Sequence, residues 1–185
     1  MAKQPSPPSG EQRDPLSAAL RMLARRSYSI AEMHRALERK FGVGQPVAAA
    51  IARLRELGLL DDKKFAEQYA SSLARNRSYG RLRVERELKA KLVDYRTIGP
   101  ALDQVFDETS ERALLEQALD KKLRRLHLPL TRSKVYTLCR SLLRLGFRSD
   151  DIMKVVRARP ELRPAVDAES VEPGTEALDE RNGEL

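Results

Sequence analysis

The sequence predicts an all-α protein, an elongated and curved tandem array of three three-helix repeats. Three observations carry that expectation. Helix formers dominate the composition, aromatic residues make up only 5% of the chain, and tryptophan is absent. Apolar residues recur at helical spacing, with no stretch of β-type alternation. The third observation is self-similarity. An offset of 51 residues carries Met33, Leu37, Val47 and Ile51 onto Val84, Leu88, Ile98 and Leu102. A further offset of 54 carries those four onto Leu138, Leu142, Ile152 and Val156. A period near 50 residues marks an array of small helical units. One such unit buries little by itself, so stacked units are expected to cover each other's apolar ends.

Residues 1–14 are rich in proline, glycine and serine (Pro5, Pro7, Pro8, Ser9, Gly10) and read as a disordered segment. Repeat one spans residues 15–60. Pro15 after Asp14 opens its first helix, which Leu16, Leu20 and Leu23 stripe. Ser27 and Ser29 are cap candidates for the second helix, and Ser29, with Glu32 three residues on, reads as a capping box. Gly42 and Gly44 end that helix, and Pro46 begins the third.

Repeat two spans residues 61–108. Gly58 turns the chain, and Asp61 or Asp62 caps a helix whose Phe65, Tyr69 and Leu73 share one face. Asn76–Gly80 carries turn chemistry before a helix with Leu82, Val84, Leu88 and Leu92. The next helix is expected to start near Asp94 or Thr97, which puts Pro100 in its first turn. Repeat three, residues 109–159, is expected to hold helices near 109–126, 131–145 and 149–158. Its expected caps are Thr131 and Ser149 or Asp150, and Gly146 is its stop. Residues 160–185 carry eight acidic and two basic side chains and read as an acidic disordered tail. Such a tail either folds back on the basic body or aids solubility, and the second is the simpler reading.

The net charge of +8 hides an uneven distribution. Repeats one, two and three carry +5, +1 and +8, against −6 after residue 159. A body this basic attracts polyanions, nucleic acid first among them. Two basic sets stand out. Arg75, Arg77, Arg81, Arg83, Arg86, Lys89 and Lys91 fall within 17 residues, with Tyr79 among them. Lys121, Lys122, Arg124, Arg125, Arg132, Lys134, Arg140, Arg144 and Arg148 form the second. Charge-rich helices often carry solvated faces, but this excess spans several helices and favours anion binding over that alternative.

No catalytic, metal or cofactor constellation is legible, and the expectation is a protein that is not an enzyme. His34 and His127 lie in different repeats without ligand spacing. Gly42-Val43-Gly44 lacks the lysine and hydroxyl residue of a phosphate loop. The single cysteine, Cys139, reads as a small, partly buried helix residue. The chain shows no signal-peptide pattern and no apolar run near the ~20 residues that span a bilayer, so a soluble cytoplasmic monomer is expected.

Four stretches carry a resemblance to a known family. They are Ser29-Ile30-Ala31-Glu32-Met33, Leu57–Asp62 with Phe65-Ala66 and Tyr69, Tyr79–Lys91, and Leu145-Gly146-Phe147 with Asp150-Asp151-Ile152. Across roughly residues 16–158 the chain resembles the RecX family, regulators of the RecA recombinase in DNA repair, recombination and the SOS response. It departs from the family pattern at Leu92-Val93, where Gly-Ile is usual, and at Gly99-Pro100. The resemblance implies tandem three-helix repeats and no catalysis. It also implies binding along the groove of a RecA filament on single-stranded DNA, with inhibition of ATPase and strand exchange. The basic sets supply the contact candidates: Arg77, Arg81, Arg83, Lys89 and Lys91, then Arg140, Arg144 and Arg148. These side chains are expected to meet RecA or the DNA phosphate backbone. The rival readings are a helix-turn-helix protein acting on duplex DNA and a scaffold for acidic proteins.

Overall fold

The computed structural model describes residues 14–167. Those residues form α-helices joined by short turns, with no strand among them. Repeat one holds α1 (Pro15–Leu23), α2 (Ile30–Phe41) and α3 (Gln45–Glu56). Repeat two holds α4 (Asp62–Arg77), α5 (Arg81–Ala90) and α6 (Tyr95–Glu108). Repeat three holds α7 (Glu111–Leu123), α8 (Arg132–Arg144) and α9 (Ser149–Arg157), followed by the short α10 (Arg163–Asp167).

Local chemistry sets the helix ends. Side chains of Asp14, Ser29, Asp61, Asp94 and Ser110 accept backbone N–H bonds at the starts of α1, α2, α4, α6 and α7. At α9 the N-cap residue is Arg148, so Ser149 already stands inside the helix and the cap expected there is displaced. Leu92 takes a left-handed φ of 61° after α5, and the Val93 N–H donates to the Leu88 carbonyl. The turn therefore keeps the geometry that glycine usually serves. α6 begins at Tyr95, which places Pro100 in the second turn rather than the first. The Arg96 carbonyl there has no N–H four residues on.

All twelve offset-related anchors lie inside. Met33, Leu37, Val84, Leu88, Leu142 and Val156 are 0% exposed, and none of the other six exceeds 6%. Two apolar stripes run differently from expectation. In α1 the buried residues are Pro15, Ala18 and Ala19, while Leu20 is 43% exposed. In α4, Phe65 is buried but the closest packing runs through Ala66, Ala70 and Ala74, with Tyr69 and Leu73 at its edge. Small side chains let helix axes approach closely, and α4 lies against α6 along its length.

The two junctions between repeats differ in kind. Repeats two and three share one continuous core, which runs from Phe65 through Leu88 and Leu119 to Val156. Repeat one keeps a separate core around Met33, Leu37 and Leu54. Its link to repeat two is polar. Buried Ser29 donates from Oγ to the Lys91 carbonyl, and the Ile30 N–H donates to Asp62 Oδ1. Glu32 accepts from both Arg26 and Lys91. The capping box expected at Ser29 is thus half used: Ser29 Oγ accepts from the Glu32 N–H, but the Glu32 carboxylate faces two cations instead of the helix start. Against burial that would raise it, those cations hold the Glu32 carboxyl below its ordinary range.

The disorder expected of 1–14 and 160–185 falls mostly outside the described residues. Where it overlaps them it is corrected. Asp14 caps α1, and Leu162 is fully buried in the repeat-three core, with Ala165 beside it. The apolar spacing of these two residues seats α10 against α8 and α9, so residues 160–167 belong to the fold and the rest of the expected tail lies outside the described residues. Among the described residues no helix is long and apolar enough to cross a membrane.

Candidate partner-binding surface

Val84 and Leu88 turn one side of α5 into the core; Arg81 opens the helix on that same side, and Arg83 and Lys89 project from its two flanks. Each of these cations is answered by a carboxylate of the same repeat. Arg81 pairs with Asp103 of α6, and its backbone N–H donates to Glu111. Arg83 makes two bonds to Glu87, at 2.7 and 2.8 Å, and its guanidinium lies 5.3 Å from the centre of the Tyr79 ring. Lys89 pairs with Glu85. Lys91, half-buried, bonds Glu32 at 3.1 Å and sits over the Tyr69 ring, so it belongs to the junction between repeats one and two. Arg77 stands apart at the end of α4, exposed and without an ion pair among the described residues.

Repeat three is different. Lys134, Arg140 and Arg144 on α8 and Arg148 beyond it are exposed and form no ion pair among the described residues. Lys122, in the last turn of α7, has Arg125, just past that helix, and Arg144 of α8 as like-charged neighbours. Burial first, then Arg144 and Arg125, push the Lys122 ammonium below its ordinary range. A cation destabilised by like neighbours marks a place where an anion is electrostatically welcome. Tyr136, 66% exposed, lies one turn before Arg140, and Leu143, 44% exposed, continues the same face. Sequence reading gave Tyr136 and Leu143 no role. Their signal is a failure of the buried stripe, because they directly follow Val135 and Leu142, which turn inward with Leu138. The structure thus separates the eight candidates. Arg140 and Arg144 share the exposed side of α8 without an ion pair among the described residues, Arg148 stands apart as the N-cap of α9, Arg81, Arg83 and Lys89 are each paired with a carboxylate, Lys91 is engaged at a junction, and Arg77 lies alone.

Among the described residues no group of three or more His, Cys, Asp or Glu side chains could hold a metal ion. His34 lies 3.3 Å from Glu38 on α2, and His127 is exposed in the turn before α8. Burial pushes the Cys139 thiol up, away from the thiolate form that reacts.

Tandem three-helix bundles joined by capped junctions define a class of helical-repeat proteins. The model of the second three-helix domain of RecX matches residues 61–102. The chain is 36% identical over 117 residues to the regulatory protein RecX of Chlorobaculum tepidum, covering 63% of this chain and 71% of that protein. It is 34% identical over 140 residues to the regulatory protein RecX of Legionella pneumophila, covering 76% and 91%. The crystal structure of RecX from Lactobacillus salivarius shares the fold, with a TM-score of 0.67 at 22% identity over 81% of this chain and 95% of that one. The chain belongs to the RecX family of regulatory proteins.

Proposed function

We propose that this protein regulates a RecA-type recombinase, chiefly by inhibition, by lying in the groove of the recombinase filament on single-stranded DNA and lowering its ATPase and strand-exchange activity. Membership of the RecX family supports the regulatory part of the reading. The observation that carries the binding part is the exposure of Arg140 and Arg144 on α8, which form no ion pair among the described residues. An ion-paired arginine must give up a partner before it meets an anion, and these two have none among the described residues to give up. They are therefore the first contacts on this reading, with Tyr136 and Leu143 supplying apolar area between them. The α5 cations come second, and Lys91 acts by holding repeat one in place.

The test is a recombinase ATPase assay on single-stranded DNA with the protein titrated in. Hydrolysis should fall, and inhibition should weaken steeply with salt because phosphate or carboxylate contacts release counterions. Charge reversal in Arg140→Glu/Arg144→Glu should abolish most of the effect at unchanged helical content. Undiminished inhibition by that variant would move the contact surface elsewhere. Sequence-dependent duplex binding without any effect on the filament would favour direct DNA recognition instead.

A further inference from the structure

A slot of about 230 Å³ opens between the start of α7 and α9. Leu115, Phe147 and Val155 form its floor, and none of them is more than 5% exposed, so the interior is apolar. An apolar cavity of about 150 Å³ takes up a benzene ring, so this slot has room for a leucine or phenylalanine side chain. The floor is held from below: Phe147 packs so closely on Gly80 of repeat two that a Cβ there would lie 2.8 Å from its ring. The rim is charged but mostly satisfied. Arg112 bonds Glu116 at 3.0 Å, Lys154 bonds Asp151 at 3.5 Å, and the Glu111 carboxylate accepts the Arg81 N–H at 2.8 Å. Arg148 is the exception. Its carbonyl is fixed by the Ile152 N–H at 3.0 Å, yet its side chain is exposed at the slot and has no ion pair among the described residues.

We propose that this slot docks an acidic protein segment of the recombinase: one apolar side chain enters it, and a neighbouring carboxylate meets Arg148. The chemistry of the ligand follows from the slot; its assignment to the recombinase rests on the function proposed above. An apolar side chain gains by leaving water for Leu115, Phe147 and Val155. The guanidinium of Arg148 offers a carboxylate a planar, two-pronged partner without first breaking another pair. Because the floor is already packed, binding orders little of this protein. A single strand of DNA fits the slot less well. The floor has no hydrogen-bonding group for a base edge, and phosphates on either side of an inserted base would meet Glu111 and Asp151 at the rim. A segment that carries one carboxylate beside its apolar residue needs one free cation, and the rim supplies one.

Fluorescence anisotropy of the full chain with a dansyl-labelled Glu-Glu-Phe-Glu-Glu peptide tests the slot without any recombinase. The same peptide with alanine in place of phenylalanine should bind several-fold more weakly. Arg148→Gln should weaken the phenylalanine peptide several-fold, whereas Lys63→Gln, which removes the same charge from exposed α4 surface, should not. Saturating peptide should shift the methyl resonances of Leu115 and Val155. Equal affinity for the two peptides, equal losses in the two variants, or shifts confined to other methyls would overturn the slot. An oligo-dT probe that binds more tightly than the peptide and moves the same two methyls would overturn the choice of protein over DNA. The recombinase is tested separately. Arg148→Gln should lower co-sedimentation with filaments on single-stranded DNA several-fold, and the phenylalanine peptide should compete. Undiminished co-sedimentation without competition would overturn the assignment to the recombinase. A wild-type chain with no effect on the filament would overturn that assignment together with the proposed function, and the peptide result would still stand.

Discussion

The backbone N–H of Ile30 donates to Asp62 Oδ1 at 2.8 Å, so the first residue of α4 closes the start of α2 in the preceding repeat. The same relationship recurs one repeat on. The Arg81 N–H donates to Glu111 Oε1, also at 2.8 Å, and Glu111 is the first residue of α7. Donor and acceptor hold the same helix positions in both cases, and the two donors are 51 residues apart. An orphan N–H at a helix start needs an acceptor, and a carboxylate there also meets the positive end of the dipole. The repeats are thus stitched by one device used twice, which fixes the second helix of each to the first helix of the next.

Removing either stitch should loosen its junction. Asp62→Ala and Glu111→Ala are each expected to cost about 1 kcal/mol, as for other lost caps, in urea melts. Asp62 also carries a pH signature. Burial, chiefly, raises its carboxyl above the ordinary 3.8, with Asp61 and Asp94 adding to the effect and the Ile30 N–H opposing it. The folded state then holds this proton more tightly than the unfolded chain. Its contribution is fully present at low pH and is lost as pH rises through the folded pKa. Wild type should therefore gain stability relative to Asp62→Asn as pH falls from neutrality through that raised pKa. A difference that stays constant with pH would contradict the assignment.

The junction between repeats two and three should be intolerant of a single methyl group. A Cβ on Gly80 would lie 2.6 Å from the Gly146 carbonyl oxygen, and one on Gly146 would lie 2.3 Å from the Arg83 nitrogen. The Gly80 N–H donates to Leu145 O, and the Leu82 N–H to Gly146 O, so backbone meets backbone with no flexible side chain to yield. Gly80→Ala is expected to cost about 1–3 kcal/mol by overpacking alone, since its φ of −76° suits any residue. Gly146→Ala, with φ at +92°, should cost more. Gly58→Ala is the control: it has a positive φ and open space, and should cost about 1 kcal/mol. Thermal melts of the three variants give the order.

Leu37, Leu88 and Leu142 are equivalent positions, each 0% exposed. Truncation to alanine should cost about 2–5 kcal/mol at each. The Leu37 variant is expected to melt repeat one separately, because its core is separate. Leu88→Ala and Leu142→Ala should shift one common transition, because they share a core. Calorimetry distinguishes the two patterns.

Charge reversal should divide the two basic faces. Arg81→Glu/Arg83→Glu/Lys89→Glu sets three new carboxylates against Asp103, Glu87 and Glu85. It is expected to lose about 1–2 kcal/mol by lost pairs and like-charge repulsion. Arg140→Glu/Arg144→Glu removes cations that form no ion pair among the described residues and relieves Lys122, so its stability should hold within about 0.5 kcal/mol. Denaturant midpoints of both variants check this. They also determine which variant can serve in a binding assay without confounding unfolding.

Much of this was legible in the chain. The anchor offsets located every helix pair, because a buried leucine or isoleucine leaves the same periodic mark wherever its repeat sits. Asp61, Ser29 and Gly146 declared helix ends through their own local chemistry. The alanine face of α4 was not legible, because alanine is both a core residue and the commonest helix filler. Leu162 and Ala165 were missed because two apolar residues separated by Pro164 form no period.

The sequence by itself determined the all-α class, the repeat spacing, the core anchors and the excess of positive charge on repeat three, since each depends on residue type and local periodicity. Only the tertiary structure decided which cations are free. Arg81, Arg83, Lys89 and Lys91 look like the richest basic motif until Asp103, Glu87, Glu85 and Glu32 are placed beside them. Two of those partners, Asp103 and Glu32, lie 22 and 59 residues away from the cations they meet. Charge is a property of a residue, but its availability to a partner depends on what the fold sets within a few ångströms of it.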